Sequence, residues 1–308
     1  VIKVTFLGTA GSAPTKSRSL PSVAVTYEGE TLLFDCGEGT QRQVMRYGIN
    51  ISSISSIFIT HIHGDHVIGI AGLMRTFALN RRTEPLYIFV PKGGKASIRA
   101  LMVFDHVLIN YPVVIKEVSG GEIFKRKDFV VRAFKLNHTV PACGYSLIEK
   151  ERVHFMKDKC RQLGIKGRMF AELLSRKSIF VKGRRIRLGE VTYKEQGIKI
   201  AYVTDTRPMK LAAREARNAD LLIHEATFTE RQKALAVERK HSTALEAAKV
   251  AAEARAKMLV LFHFSARYKN TAALIKEAKS VFSNTQAARD GMTILLENKK
   301  QRSAEKGL

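Results

Sequence analysis

Residues 58–69 read FITHIHGDHVIG and place three imidazoles and a carboxylate close together: His61, His63, Asp65 and His66. Just upstream, ISSIFIT (residues 54–60) is an apolar run of strand length, so the cluster begins where a buried strand ends. Histidines at alternate positions of an extended segment point two rings to one side. The Asp and His that follow, as the chain curls, can face a second point nearby. Neutral imidazole and carboxylate are the donors that suit Zn²⁺, Mn²⁺ or Fe.

Working outward, His138, Asp205 and His263 each lie at or just past the end of a predicted strand. If those ends converge on one edge of a sheet, seven donors surround two metal ions. Asp205 is then the natural bridge, because one carboxylate can give an oxygen to each ion. Two bridged ions suit phosphoester hydrolysis, since they supply hydroxide near neutral pH and neutralise the attacking and leaving oxygens. His106 and His154 sit in no such context and read as ordinary surface or core histidines.

The rest of the pattern alternates strands with helices, the signature of an α/β fold. VIKVTFLG and SVAVTYEGETLLFDCG alternate as strands, the second folding back at a turn over residues 27–30. TQRQVMRYG predicts a helix closed by Gly48, and HVIGIAGLMRTFALNRR continues at helical period over residues 66–82. PLYIFVP is a strand and GGKASIRALMVFDHV a helix. FVVRAFKLNHTVPACGYSLIE predicts two strands joined around His138, and GIKIAYVTDTRP, ADLLIHEATF and KMLVLFHFSARY each predict a strand. STALEAAKVAAEARA and TAALIKEAKSVF predict the last helices, and residues 299–308 read as a flexible polar tail.

The 308 residues carry 52 Lys and Arg against 28 Asp and Glu, a net charge of +24. Such a surface attracts polyanions, nucleic acid first among them; a solvated basic coat of the kind a high-salt or hot habitat selects is the plainer alternative. No long uncharged apolar stretch predicts a membrane span, and the N-terminal segment reads as a strand rather than a leader. Cys36, Cys143 and Cys160 are too few and too far apart for a disulfide framework or a CxxC clip, which predicts a cytoplasmic protein whose metal rests on His and Asp. Residues 150–196 break the rhythm. They are dense in Lys and Arg, with scattered apolar residues, and are longer than an ordinary connection, which predicts an inserted basic arm.

These residues carry a family resemblance. THIHGDH resembles the HxHxDH signature of the metallo-β-lactamase fold, and LFDCGEGTQ its DxG turn at Asp35 and Gly37. HEATF (residues 224–228), HST (residues 241–243) and FSARY (residues 264–268) narrow the resemblance to the ribonuclease Z family of tRNA 3′-processing endonucleases, from the first strand to about Asn298. The resemblance implies a four-layer αββα domain over residues 1–298, with the basic arm at 150–196 as a tRNA-gripping exosite. It implies two Zn²⁺ per subunit, one on His61, His63, His138 and Asp205, the other on Asp65, His66, Asp205 and His263. Asp65 would act as general base, while Glu225 would orient His241 and raise its pKa so that His241 protonates the 3′-oxygen.

Arg267, assisted by Ser265, would hold phosphate. APTKSRSLPS resembles the family's PxKxRN loop through Pro14, Lys16 and Arg18, with Ser19 where Asn is usual, and implies contact with the RNA 3′ end. Precursor tRNA as substrate and a homodimer complete what the resemblance implies. Two other readings are open: a hydrolase of this fold for small phosphodiesters or thioesters, and a non-catalytic RNA-binding subunit. The first has no use for the basic arm; the second has no use for a complete set of seven metal donors.

Overall fold

Single strands here serve two cores at once, because successive side chains leave a strand on opposite faces. Strand Ile2–Gly8 sends Ile2, Val4 and Phe6 into one buried cluster and Leu7 into another. Strand Glu30–Phe34 divides Leu32 and Phe34 from Leu33, and strand Leu86–Pro91 divides Phe89 from Leu86, Ile88 and Val90. The computed structural model describes residues 1–103 and 109–297, which form two compact units, residues 1–148 with 198–297 and residues 149–197.

The larger unit holds two seven-stranded sheets. The first runs, in spatial order, Thr293–Leu296, Ile2–Gly8, Ser22–Tyr27, Glu30–Phe34, Ile54–Phe58, Leu86–Pro91 and Val113–Val118. The second runs Thr285–Ala287, Leu259–Phe262, Leu221–Glu225, Lys199–Val203, Ala142–Glu149, Phe129–Leu136 and Gly121–Lys125. Between them lies an aromatic seam: Phe34 stacks on Phe58 at 5.2 Å and Phe58 on Phe89 at 4.8 Å, with Tyr145 and Tyr202 of the second sheet against Phe34. Truncating the fully buried Phe58 to Ala would cost about 3–5 kcal/mol.

Helices Thr40–Arg46, Gly69–Leu79 and Lys95–Val103 cover the first sheet through Val44, Ile70, Leu73, Phe77 and Ile98. Helices Lys210–Glu215, Ala244–Glu253 and Ala272–Lys279 cover the second, largely through alanines that let helix and sheet approach closely. The four layers of the expected αββα architecture are therefore present.

Three differences from the sequence reading have physical causes. The helix expected over 66–82 is two, Gly64–Val67 and Gly69–Leu79. The break ties the metal turn to the DxG turn: Cys36 N donates to His66 O at 2.8 Å and Gly69 N to Cys36 O at 3.0 Å. A Cβ on Gly69 would lie 1.9 Å from the Gly37 carbonyl oxygen, so only glycine permits this approach. Strands Val113–Val118 and Gly121–Lys125 were not anticipated, because they are half-exposed sheet edges in which Lys116, Glu117 and Glu122 interrupt the apolar pattern. The end of the helix expected over 93–107, His106 and the tail at 299–308 lie outside the described residues.

The smaller unit has its own organisation. Strand Arg152–Phe155 pairs antiparallel with Thr192–Glu195, and Ser178–Val181 with Arg184–Arg187 through a turn at Lys182 and Gly183. The apolar residues that look scattered in sequence close into a core of Cys160, Ile165, Leu173, Ile179, Val181, Ile186 and Val191. Phe180 is 72% exposed and is paired in register with Arg185. All three cysteines are buried and free.

Candidate metal centre

The side chains of the centre come from strand ends that meet at one edge of the two sheets. His61 and His63 follow strand Ile54–Phe58, His138 follows Phe129–Leu136, and Asp205 follows Lys199–Val203. Glu225 ends strand Leu221–Glu225, and His263 follows Leu259–Phe262. Asp35, Asp205 and His263 have φ of 58°, 49° and 58°, a left-handed conformation that costs a non-glycine residue of order 1 kcal/mol and here aims each side chain across the edge. Gly11 lies over the His263 ring, where a Cβ would come within 2.6 Å of Cε1.

The seven sequence-predicted donors meet in two groups. In the first, His61 Nε2 and His138 Nε2 lie 3.0 and 3.3 Å from His63 Nδ1, and 3.6 and 3.8 Å from Asp205 Oδ2. In the second, Asp65 Oδ2 lies 3.4 Å from His66 Nε2 and 3.6 Å from His263 Nε2. The other oxygen of Asp205, Oδ1, lies 3.2 Å from His263 Nε2 and 3.6 Å from His66 Nε2. One carboxylate thus turns an oxygen to each group. His66 Nε2 and His263 Nε2 are buried without a hydrogen-bond partner among the described residues, an arrangement that is costly unless a cation takes the lone pairs. The donor set and its orphaned nitrogens fit divalent metal ions.

Outside the donors stands a layer that orients them, as metal-binding histidines require. The buried Asp35 is its centre: Oδ2 is 2.9 Å from His66 Nδ1 and accepts from Tyr202 OH at 2.9 Å, while Oδ1 accepts from Thr60 N at 2.8 Å. The Thr60 hydroxyl is in turn 3.1 Å from His61 Nδ1. Thr227 Oγ1 lies 3.0 Å from His263 Nδ1 and donates to Glu225 Oε2 at 2.6 Å, and the Lys240 carbonyl lies 3.2 Å from His138 Nδ1. Ser12 N donates to Asp65 Oδ2 at 2.8 Å.

Charge follows the same geometry. Burial disfavours the ionised forms of Asp65 and Asp205, but the imidazoles of His263 and His66 close beside both hold the two carboxyls well below the usual range. Burial and the neighbouring His66 lower His61, keeping it the neutral ligand a metal needs. His241 Nδ1 lies 3.1 Å from Glu225 Oε1. Burial works against a proton there, yet the charge and hydrogen bond of Glu225 outweigh it and push the imidazole up to about 9. His241 also groups with Asp205 and His263 at metal-ligand spacing. Glu225 occupies its Nδ1, and Asp65 and His66 complete the second group without it, so His241 stands as a neighbour of the two donor groups.

Two predicted phosphate contacts stand nearby. Arg267 Nε donates to Ser265 Oγ at 3.1 Å, and its guanidinium lies 5.0 Å from the Phe228 ring centre, with that ring 5.9 Å from the His241 ring. Lys16 is exposed. Arg18 is half-buried and turned into the fold, donating to Thr9 Oγ1 at 2.9 Å and the Ala288 carbonyl at 3.1 Å, with its guanidinium 4.7 Å from the Phe264 ring centre. It therefore shapes the 14–18 loop instead of projecting from it.

Residues 2–180 match the family model described as Anti-Pycsar protein Apyc1, and residues 181–264 match that of a beta-lactamase superfamily domain. Ribonuclease Z of Archaeoglobus fulgidus is 44% identical over 303 residues, covering 96% of this chain and 97% of its own. This chain belongs to the ribonuclease Z family. The agreement along nearly the whole length decides it, where each family model stops partway. Ribonuclease Z of Methanosarcina mazei is 40% identical over 96% of this chain and 98% of its own. Among solved structures, human tRNase Z, short form, superposes with a TM-score of 0.72 at 30% identity, over 96% of this chain and 99% of its own. The metallo-beta-lactamase fold protein YhfI of Bacillus subtilis shares the fold, with a TM-score of 0.69 at 19% identity over 95% and 98% of the two chains.

Within this ribonuclease Z family chain, sequence reasoning missed Arg207. Its guanidinium grips Glu246, Nη1 also donates to the His241 carbonyl, and its backbone N–H donates to the Asn137 carbonyl at 3.0 Å. It thereby joins the loops that carry Asp205, His138 and His241. The only signal was its place two residues after Asp205 in VTDTRP.

Proposed function

We propose that this chain is a metal-dependent endoribonuclease that removes the 3′ trailer from tRNA precursors. The cut falls 3′ of the discriminator nucleotide and leaves a 3′-hydroxyl on the tRNA and a 5′-phosphate on the trailer. The observation that carries this reading is Asp205, one oxygen toward His61 and His138 and the other toward His66 and His263. His61, His63, His138 and Asp205 would hold one ion and Asp65, His66, Asp205 and His263 the other, zinc first, with manganese or iron compatible. Two ions so held would supply an acidified water at neutral pH and offset charge on the reacting phosphate.

The chain's own groups do the rest. Asp65, steadied by Ser12 N–H, takes the proton of the attacking water. His241, kept cationic by Glu225, binds the scissile phosphate and delivers its proton to the departing 3′-oxygen. Arg267, held by Ser265, pairs with phosphate, and Lys16 meets the RNA near its 3′ end. The cations of 150–196 bind the tRNA backbone with release of counterions, and a homodimer offers that arm to RNA held by the partner subunit.

Incubation with a 3′-extended tRNA transcript and zinc tests the reading: cleavage at the discriminator is expected, and intact transcript at high enzyme concentration would sink it. A small-phosphodiester hydrolase is the second reading, favoured only by the openness such a dinuclear site would have to small esters. The same transcript separates the two.

A further inference from the structure

A cavity opens at the same edge of the sheets as the metal donors. It measures about 300 Å³ and is walled by Val118, Leu136, Pro141 and Ala142, with the exposed Lys92 and Lys135 beside it. Its walls lead straight into the metal centre. Leu136 and Pro141 flank the loop that carries His138, and Cys143 N, next to Ala142, donates at 2.8 Å to the carbonyl of Thr60, which precedes His61. Cys143 also lines the cavity, and burial pushes its thiol up to about 11, so it adds apolar surface there rather than a nucleophile.

Resting on the ribonuclease reading above, we propose that this cavity receives the nucleobase of one nucleotide flanking the scissile phosphate. A base offers a flat, largely apolar body with phosphates on either side of its sugar. The cavity offers apolar walls, and two ammonium groups stand beside it. Its size suits a planar base with part of its sugar, and two wall segments run from it into the loops that carry His61 and His138. Apart from the exposed Ser119 hydroxyl and the Cys143 thiol, the apolar walls carry no side-chain group that would read a particular base, so the subsite accepts any base and rejects the lack of one. Such a contact uses binding away from the reacting bond to set the phosphate against the metal centre.

The test uses three precursor tRNAs, one natural, one abasic at the discriminator and one abasic at the first trailer nucleotide, together with bis(p-nitrophenyl) phosphate. With the wild-type protein, one of the two abasic precursors should lose about tenfold in kcat/KM, or ~1.4 kcal/mol. Filling the cavity by Ala142→Leu should impose a similar loss on the natural precursor, no further loss on that abasic one, and no change with the small diester. Ser119→Trp, on the exposed turn beside the cavity, repeats the test without touching a buried position. Equal cleavage of all three precursors by the wild-type protein would overturn the proposal, as would additive losses from variant and abasic site. Failure to cleave even the natural precursor would instead refute the ribonuclease reading.

Discussion

Replacing Arg207 by Ala isolates what holds His241 in place. The guanidinium pairs with both oxygens of Glu246 and bonds the His241 carbonyl, with side chains only 17% and 11% exposed. After the substitution, Thr243 N–H at 3.0 Å still caps the Glu246 carboxylate. Losing charge-assisted bonds in a partly screened setting costs about 2–3 kcal/mol of stability, measurable by urea unfolding. The larger effect falls on chemistry. A catalytic group displaced by about an ångström loses roughly a hundredfold, within the ~10²–10⁴ that a positioned proton donor contributes. Precursor tRNA cleavage should therefore fall about a hundredfold in kcat/KM. Hydrolysis of bis(p-nitrophenyl) phosphate should fall less, by about tenfold at most, because p-nitrophenolate departs without a proton and only the phosphate contact of His241 is disturbed. Equal losses on both substrates, or none on either, would refute the reasoning. Arg207→Ala combined with His241→Ala should be no worse on tRNA than His241→Ala alone.

Asp65→Ala should lower tRNA cleavage by orders of magnitude while electrophoretic mobility shift shows binding largely kept; a comparable loss of binding would contradict its assignment as base. Chelation should abolish cleavage and lower Tm, and zinc or manganese should restore both, since ligand at about a hundred times its Kd adds ~2.7 kcal/mol to the folded state. The proton on His241 is held above its ordinary range, so activity that needs it is present below about pH 9 and lost as pH rises through that value. Glu225→Gln removes the charge that raises it, and the alkaline limb of the kcat/KM profile should move to lower pH. Deleting residues 151–194 should weaken tRNA binding and spare small-diester turnover, and loss of both would place that segment in the catalytic core.

The sequence by itself named the candidate donors and most of the strands and helices. HxHxDH names four side chains by local spacing alone, and periods of two and of three to four residues mark most strands and helices without long-range information. Edge strands such as Val113–Val118 escaped it, because an edge needs charge more than alternation. That the strand ends converge, the condition for Asp205 to face both groups, that Asp35 orients His66 and reaches His61 through Thr60, and that Arg207 ties His241 in place are facts of tertiary structure. They depend on residues 25 to 167 positions apart meeting where parallel strands end, and on three left-handed backbone positions that no local pattern announces. The core of residues 149–197 was hidden for a related reason: its apolar side chains follow no single period and find one another only when helices and hairpin fold back together.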